Sequence, residues 1–130
     1  MKFMTENEIA KIVVNCCFKI HNTLGAGLFE SVYEEVLAYE LKKNSLTIER
    51  QKVLPVVYDE IEMEVGFRTD IIVANKLIIE IKSVEIVSRV HKKQLLTYLR
   101  LSNMKLGLLV NFNETLIKDG ISRIVNELTE

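Results

Sequence analysis

Two adjacent apolar segments, each with an acid in its middle, constrain this chain more than any other feature. They are Phe67 to Val73 (FRTDIIV) and Leu77 to Lys82 (LIIEIK). Both are rich in β-branched residues, which is typical of buried β-strands, yet Asp70 and Glu80 interrupt the apolar pattern. The short link between them contains Asn75, which tolerates the left-handed backbone of a tight turn. The two segments are therefore predicted to form a β-hairpin.

The apolar pattern also predicts the register of this hairpin. Side chains alternate across a strand, so pairing Val73 with Leu77 keeps the apolar faces of both strands together. The same register puts Asp70 opposite Glu80, and facing like charges normally destabilise a sheet. A divalent cation bound by both carboxylates removes this conflict, with Lys82 one strand repeat further along. The alternative is a solvent-facing polar row on a half-exposed sheet, which explains Glu80 and Lys82 but accounts less well for Asp70.

The rest of the chain is predicted to form helices and strands of an α/β (α+β) fold. Thr5 and Glu8 predict a capping box at the start of a helix that continues to about Thr23. The further predicted elements are a helix at 29–44, a strand at 46–58 with Pro55 at an edge or bulge, the hairpin strands, a helix at 88–101, a buried strand at 105–111 and, after a turn at 119–120, an element at 121–128 of undecided type. This order is αβββαβ with an extra N-terminal helix. It predicts a mixed central sheet flanked by helices.

Composition and charge limit the class of protein. The chain has 130 residues, of which 48% are hydrophobic and 27% charged, and its formal net charge is −1. These values suit one globular domain over residues 1–130 and argue against a general nucleic-acid coat protein. A carboxylate-rich site stays compatible with this net charge, because bound cations offset the charge of its acids.

The cysteines and the apolar runs predict the compartment. No apolar run approaches the roughly 20 residues that span a bilayer, so no membrane association is expected. The N-terminus also lacks the layout of a signal peptide. Cys16 and Cys17 are neighbours in a helical stretch and cannot close an ordinary disulfide, so two reduced thiols are expected. Together these features predict a cytoplasmic protein.

The hairpin residues resemble the active site of the PD-(D/E)XK nuclease superfamily. Asp70 followed by Glu80-x-Lys82 matches the acids and the lysine of that site, while Thr69 stands where the superfamily name has proline. The likeness runs from about residue 21 to residue 126. It implies a restriction-endonuclease-like fold.

Two further motifs extend this resemblance. Gly27 to Tyr33 (GLFESVY) is similar to the GxxExxY signature of a group of small proteins placed in the same superfamily. Gln94 to Tyr98 (QLLTY) is similar to the QxxxY motif that follows the catalytic strand in RecB-like and Cas4-like members. A lone E-x-K triplet is a weak signal, whereas the ordered set of four motifs is strong.

The resemblance implies metal-dependent phosphodiester hydrolysis. Asp70, Glu80 and the backbone carbonyl of Ile81 would hold Mg²⁺ or Mn²⁺, with Glu30 as a ligand or near neighbour. Lys82 would orient or deprotonate the attacking water and offset charge on the phosphorane. The catalytic set is therefore Asp70, Glu80 and Lys82.

Four other residues are implied as supporting or substrate-contacting groups: Gln94, Tyr98, Tyr33 and His21. Each has an ordinary alternative. Gln94 can be a solvated residue, Tyr98 and Tyr33 can be core aromatics, and His21 can be a surface or capped histidine. Glu30 can also be explained by its place at a helix start, where the dipole favours an acid.

The implied partner is a nucleic acid, DNA in the first place. Arg89, Lys92 and Lys93 lie beside the QxxxY motif and are expected to contact phosphate, the alternative being a solvated face. A homodimer is expected, because so small a nuclease offers little surface to grip a duplex. The competing interpretation is a nuclease-fold binding or scaffold module with weak or no activity. A third possibility is action on RNA or on a damaged or branched structure.

Overall fold

A computed structural model describes residues 3–129. The helices are α1 (Glu6–Leu24), α2 (Glu30–Lys43) and α3 (Arg89–Ser102), with a short 3₁₀-helix at Ile117–Gly120. The strands are β1 (Ile48–Tyr58), β2 (Ile61–Val73), β3 (Leu77–Lys82), β4 (Leu106–Asn111) and β5 (Ile121–Val125). They form one mixed sheet in the order β1-β2-β3-β4-β5, in which β3 and β4 are parallel and the other pairs antiparallel. The predicted mixed sheet flanked by helices is confirmed, with the order αβββαβ after an extra N-terminal helix.

Helices α1 and α2 cover one face of the sheet. The predicted capping box starts α1: Thr5 Oγ1 accepts a hydrogen bond from the backbone N–H of Glu8, and the Glu8 carboxylate accepts one from the N–H of Thr5. Both cysteines of α1 are buried and free. The apolar stripes of the two helices pack on alternate residues of the central strands, among them Ile71, Ile79 and Val110.

Helix α3 covers the opposite face. Its buried residues Leu95 and Leu99 pack against Ile72 and Ile78 of the hairpin and Leu109 of β4. Because helices lie on both faces, every residue of β4 is buried, as its continuous apolar sequence predicts. No helix within residues 3–129 is long and apolar enough to span a membrane.

The hairpin has the predicted register, with Val73 paired to Leu77. Both Ala74 and Asn75 have positive φ, at 51° and 57°, as the two central residues of a type I′ turn require. Strand β2 is longer than its apolar core suggests, because it begins at Ile61 and continues beyond β3 as a two-stranded ribbon with β1.

The structure also defines the strand that contains Pro55 and the C-terminal element whose type the sequence left open. Strand β1 lies at the sheet edge, and its register shifts between Pro55 and Val57, so the proline marks both an edge and a bulge. The undecided C-terminal element is β5, which pairs with β4 and ends at Val125. The predicted turn at 119–120 is the end of the 3₁₀-helix.

Candidate active site

Strands β2 and β3 stop pairing at the two predicted metal-binding acids. The last backbone pair on this side is Ile71 with Ile79. Beyond it, the N–H of Asp70 donates to the Glu80 carboxylate at 2.7 Å, and the N–H of Ile81 donates to the Asp70 carboxylate at 2.8 Å. The two carboxylates thus take the place of carbonyl acceptors that a continued ladder would have supplied. They lie together at the point where the strands diverge.

Glu80 is a buried acid with an unfavourable charge environment. Only 6% of its surface is exposed. Burial first, and then the charge of Asp70, raise the pKa of Glu80 to about 8; the charge of Glu34 adds to the rise, while the Asp70 N–H and the charge of Lys82 oppose it. Burial and the neighbouring charge of Asp70 therefore disfavour the ionised form of the Glu80 carboxyl.

Lys82 follows two residues later on β3 and is half-buried. Its backbone is fixed, because its carbonyl accepts a 2.9 Å hydrogen bond from the N–H of Phe112. The chain just beyond it is fixed as well: Asn111 donates through Nδ2 to the carbonyl of Val84 at 2.8 Å and accepts from the Val84 N–H at 3.1 Å. Asn111 therefore holds the chain that follows β3 in place through both ends of its side-chain amide. The structure brings Asp70, Glu80 and Lys82 to one end of the hairpin.

The acid of α2 that reaches this group is Glu34. It is 8% exposed. Its Oε2 accepts from Nε and Nη2 of Arg50, both at 3.0 Å, and its Oε1 accepts from Nε2 of Gln51 at 2.6 Å. The same Nε2 is 3.4 Å from Oδ1 of Asp70. Glu30, the acid that the motif indicates, is exposed at the first residue of α2, one turn earlier.

Sequence reasoning missed Glu34, Arg50 and Gln51. A signal for Glu34 was available, since it follows Tyr33 and precedes Leu37 by three residues, beside the buried stripe of α2. Arg50 and Gln51 gave no such signal, because they lie on a strand whose neighbours in space are set by the packing of α2.

Tyr33 is a structural residue of the core. It is fully buried, stacks on Phe112 at a centroid distance of 4.4 Å, and donates through its hydroxyl to the Gly25 carbonyl at 2.6 Å. The hydroxyl also accepts from the N–H of Leu28 at 3.2 Å, and Ser83 donates to the Leu28 carbonyl at 2.6 Å. The Tyr33 hydroxyl thus connects two points of the glycine loop, the segment 25–29 between α1 and α2. Ser83 connects the same loop to the end of β3.

Tyr98 of α3 lies beside the acids. Burial first, then the charges of Glu80 and Asp70, raise the pKa of its phenol. Its ring stacks on Phe67 at 4.5 Å, although simple alternation along β2 puts Phe67 on the face opposite Asp70. At this point β2 no longer pairs with β3 and continues as a two-stranded ribbon with β1, so the faces of the central sheet no longer apply to Phe67.

The remaining predicted residues lie outside this contact network. His21 is buried, and its Nε2 is 2.8 Å from the carbonyl of Glu114, as suits a capped structural histidine. Gln94 is exposed on α3. The three cationic residues, Arg89, Lys92 and Lys93, are exposed on the first turns of the same helix.

The donor chemistry of the acidic pair fits a hard divalent cation. Within residues 3–129, no group of three or more His, Cys, Asp or Glu side chains is arranged so that it could hold a metal ion, so these two acids would need backbone or water oxygens as further ligands. Asp70 and Glu80 each use one oxygen for a backbone N–H, so Oε1 of Glu80 and Oδ1 of Asp70, which also lies 3.4 Å from the Gln51 amide, are the oxygens that face another ligand. Carboxylate and carbonyl oxygens are the ligands that Mg²⁺ and Mn²⁺ prefer.

Comparison with known proteins assigns the family. The crystal structure of SSO0001 is similar, with a TM-score of 0.56 and 26% sequence identity over 77% of this chain and 52% of that chain. The present chain thus spans about half the length of that protein. No curated protein matches the sequence. A sequence profile of the PD-(D/E)XK nuclease superfamily matches residues 7–124, which include the splayed hairpin and α3. The chain belongs to the PD-(D/E)XK nuclease superfamily.

Proposed function

We propose that the protein is a metal-dependent nuclease that hydrolyses phosphodiester bonds in DNA. The observation that carries this proposal is the position of Asp70 and Glu80 where β2 and β3 stop pairing, with Lys82 two residues further on along β3. Membership of the superfamily supports a nuclease-type function. The order of the motifs supports the GxxExxY group within it and a single nuclease domain over residues 1–130.

In this proposal Asp70, Glu80 and the backbone carbonyl of Ile81 would hold Mg²⁺ or Mn²⁺, with Glu30 as a ligand or near neighbour. When bound, the cation supplies positive charge that polarises the scissile phosphate and favours ionisation of the attacking water. Lys82 orients that water through its ammonium group and offsets the negative charge that develops on the phosphate oxygens. Because Lys82 is half-buried, the attraction between its ammonium group and the phosphate oxygens would be stronger than in water.

Substrate contacts are assigned to α3. Tyr98 lies beside the acids, and Gln94 precedes it by one helical turn, so both can reach a strand bound there. Arg89, Lys92 and Lys93 are exposed on the same helix and supply cations for the phosphate backbone. Tyr33 and His21 support the site indirectly, by fixing the glycine loop and the end of α1.

A cleavage assay with matched variants tests the proposal. Linear, circular, branched and single-stranded DNA and an RNA are incubated with the protein in Mg²⁺, Mn²⁺ or a chelator. We expect cation-dependent cleavage of DNA that Asp70→Asn abolishes and Asp59→Asn, an equivalent change at the exposed β1–β2 turn, leaves intact. Cleavage of RNA but not of DNA would show that the substrate is RNA. Nucleic-acid binding with no cleavage and no cation-dependent shift in melting would favour the binding or scaffold function.

Two further properties are proposed with the activity. A homodimer would widen the small surface available to a duplex, and sedimentation at micromolar concentration decides between it and a monomer. A cytoplasmic location fits the two buried free thiols of α1, and fractionation of cells that produce the protein tests it.

A further inference from the structure

The side-chain amide of Gln51 connects the acid of α2 with the acid of β2. Its Nε2 is 2.6 Å from Oε1 of Glu34 and 3.4 Å from Oδ1 of Asp70, and an amide nitrogen carries two hydrogens, one for each contact. Glu34 is itself held on its other oxygen by Arg50, at 3.0 Å. Glu34 is therefore held on both oxygens, and the exposed Gln51 amide lies between Glu34 and Asp70.

The backbone conformation of Gln51 is a second indication that this residue has a special role beside Asp70. Its φ is 50°, a conformation that residues other than glycine, asparagine and aspartate rarely adopt. The other non-glycine residues with positive φ within residues 3–129 lie in turns, bends or at a helix end, whereas Gln51 lies inside a strand. The strand pairs Arg50–Ile71 and Lys52–Thr69 flank it, so this unusual residue is opposite Asp70. Strained backbone of this kind persists where the surroundings require it.

The chemistry of a neutral amide suits this position. Glu34 is buried, and Arg50 already balances its charge. A lysine or arginine at position 51 would also neutralise Asp70 and compete with a cation. Gln51 instead donates a hydrogen bond to each acid and adds no charge.

We propose that Gln51 is a positioning residue of the site, whose two amide hydrogens fix Asp70 relative to Glu34 and aim Oδ1 of Asp70 at the cation position. Its effect on cation binding rests on the proposed function. Its effect on the position of Asp70 does not, because the contacts are present in the metal-free protein.

The metal-free protein gives the first test. Gln51→Gly removes the amide and suits the positive φ, so the fold should be retained. Ser45→Gly is the matched control, since Ser45 has a φ of 62° and is exposed in the loop after α2. Asp70 accepts the N–H of Ile81 through its other oxygen, so a mobile Asp70 should release that amide. We expect hydrogen exchange at Ile81 to quicken several-fold in Gln51→Gly, with Ile79 unchanged. Equal exchange in Gln51→Gly and Ser45→Gly would overturn the positioning role.

Titration calorimetry with Mn²⁺ gives the second test. We expect Gln51→Gly to weaken Mn²⁺ binding about tenfold, as loss of groups that orient metal ligands commonly does, and Ser45→Gly to leave it unchanged. Gln51→Asn should weaken it as well, because asparagine tolerates the backbone but its shorter side chain cannot reach both acids. Unchanged Mn²⁺ affinity in both Gln51 variants would overturn the proposal. If the unmodified protein binds no Mn²⁺, the proposed function fails, and the Ile81 exchange rate still decides whether Gln51 positions Asp70.

Discussion

The backbone N–H of Asp70 donates a 2.7 Å hydrogen bond to the carboxylate of Glu80. Two facing acids that made no other interaction would only destabilise the sheet. Here the pair also has a structural use, since each acid accepts a backbone N–H where the strand ladder has ended. The acids can therefore be examined in the metal-free protein through stability, independently of any cleavage.

The first prediction concerns Glu80 and pH. Because burial and Asp70 raise the pKa of Glu80 from 4.5 to about 8, the folded protein keeps a proton that the unfolded chain releases between these values. The contribution to stability is complete below the unfolded pKa and is lost as pH rises through the folded one. We expect the free energy of unfolding of the metal-free protein to fall by roughly 1–3 kcal/mol between about pH 5 and pH 9. Urea unfolding across this range measures it.

Two variants identify the source of this pH dependence. Glu80→Gln keeps an oxygen for the Asp70 N–H but cannot ionise, so its stability should stay nearly level over the same range. Glu62→Gln changes an exposed acid of β2 and should retain the fall. Parallel curves for the unmodified protein and Glu80→Gln would show that Glu80 is not the titrating group.

The second prediction concerns the tyrosine of the GxxExxY pattern. Tyr33→Phe keeps the stacking on Phe112 but removes the hydroxyl that bonds to Gly25 and Leu28. We expect a loss of about 1 kcal/mol in the free energy of unfolding, because the part-buried carbonyl of Gly25 loses its donor. Tyr39→Phe, at an exposed position on the same helix, should change stability by less than about 0.5 kcal/mol. Equal effects in chemical denaturation would contradict the structural role of the hydroxyl.

The sequence predicts most of the fold because its local signals agree with one another. The alternation in β2 and β3 sets the register, the Thr5 capping box sets the start of α1, and the continuous apolar run predicts a doubly covered β4. The type of the C-terminal element could not be predicted, because the five residues that form β5 show little periodicity of their own and form a strand by pairing with β4.

The candidate site was predicted only as far as contacts are local. Asp70 and Glu80 are ten residues apart across one hairpin, so pairing rules bring them together. The Glu34–Gln51 contact instead depends on how α2 packs over β1, and the positive φ of Gln51 leaves no mark in the sequence. The side chain of Phe67 lies on the face that simple alternation does not give it for a related reason, because alternation assumes a regular ladder.

The third prediction concerns the cations of α3. Replacing Arg89, Lys92 and Lys93 with alanine should weaken DNA binding and make it less salt-dependent, since each lost phosphate contact lowers the slope of log affinity against log salt by about 0.9. A triple alanine variant at the exposed residues Lys11, Lys105 and Lys118 has the same charge and should retain the slope. Anisotropy titrations at several salt concentrations compare the two. An identical loss in both variants would indicate only an effect of net charge.

The last prediction separates catalysis from binding through Lys82. Its ammonium group assists the reacting water in the proposed function without coordinating the cation, so Lys82→Ala should lower the cleavage rate at least about a hundredfold. Affinity for Mn²⁺ should be unchanged or higher, because a neighbouring positive charge is removed from the acids. Lys118→Ala, at an exposed position in the 3₁₀-helix, should cleave as the unmodified protein does. Single-turnover cleavage and calorimetry are measured on the same preparations. Undiminished cleavage by Lys82→Ala would remove Lys82 from the reaction, and a parallel loss of Mn²⁺ binding and cleavage would assign it to holding the site together.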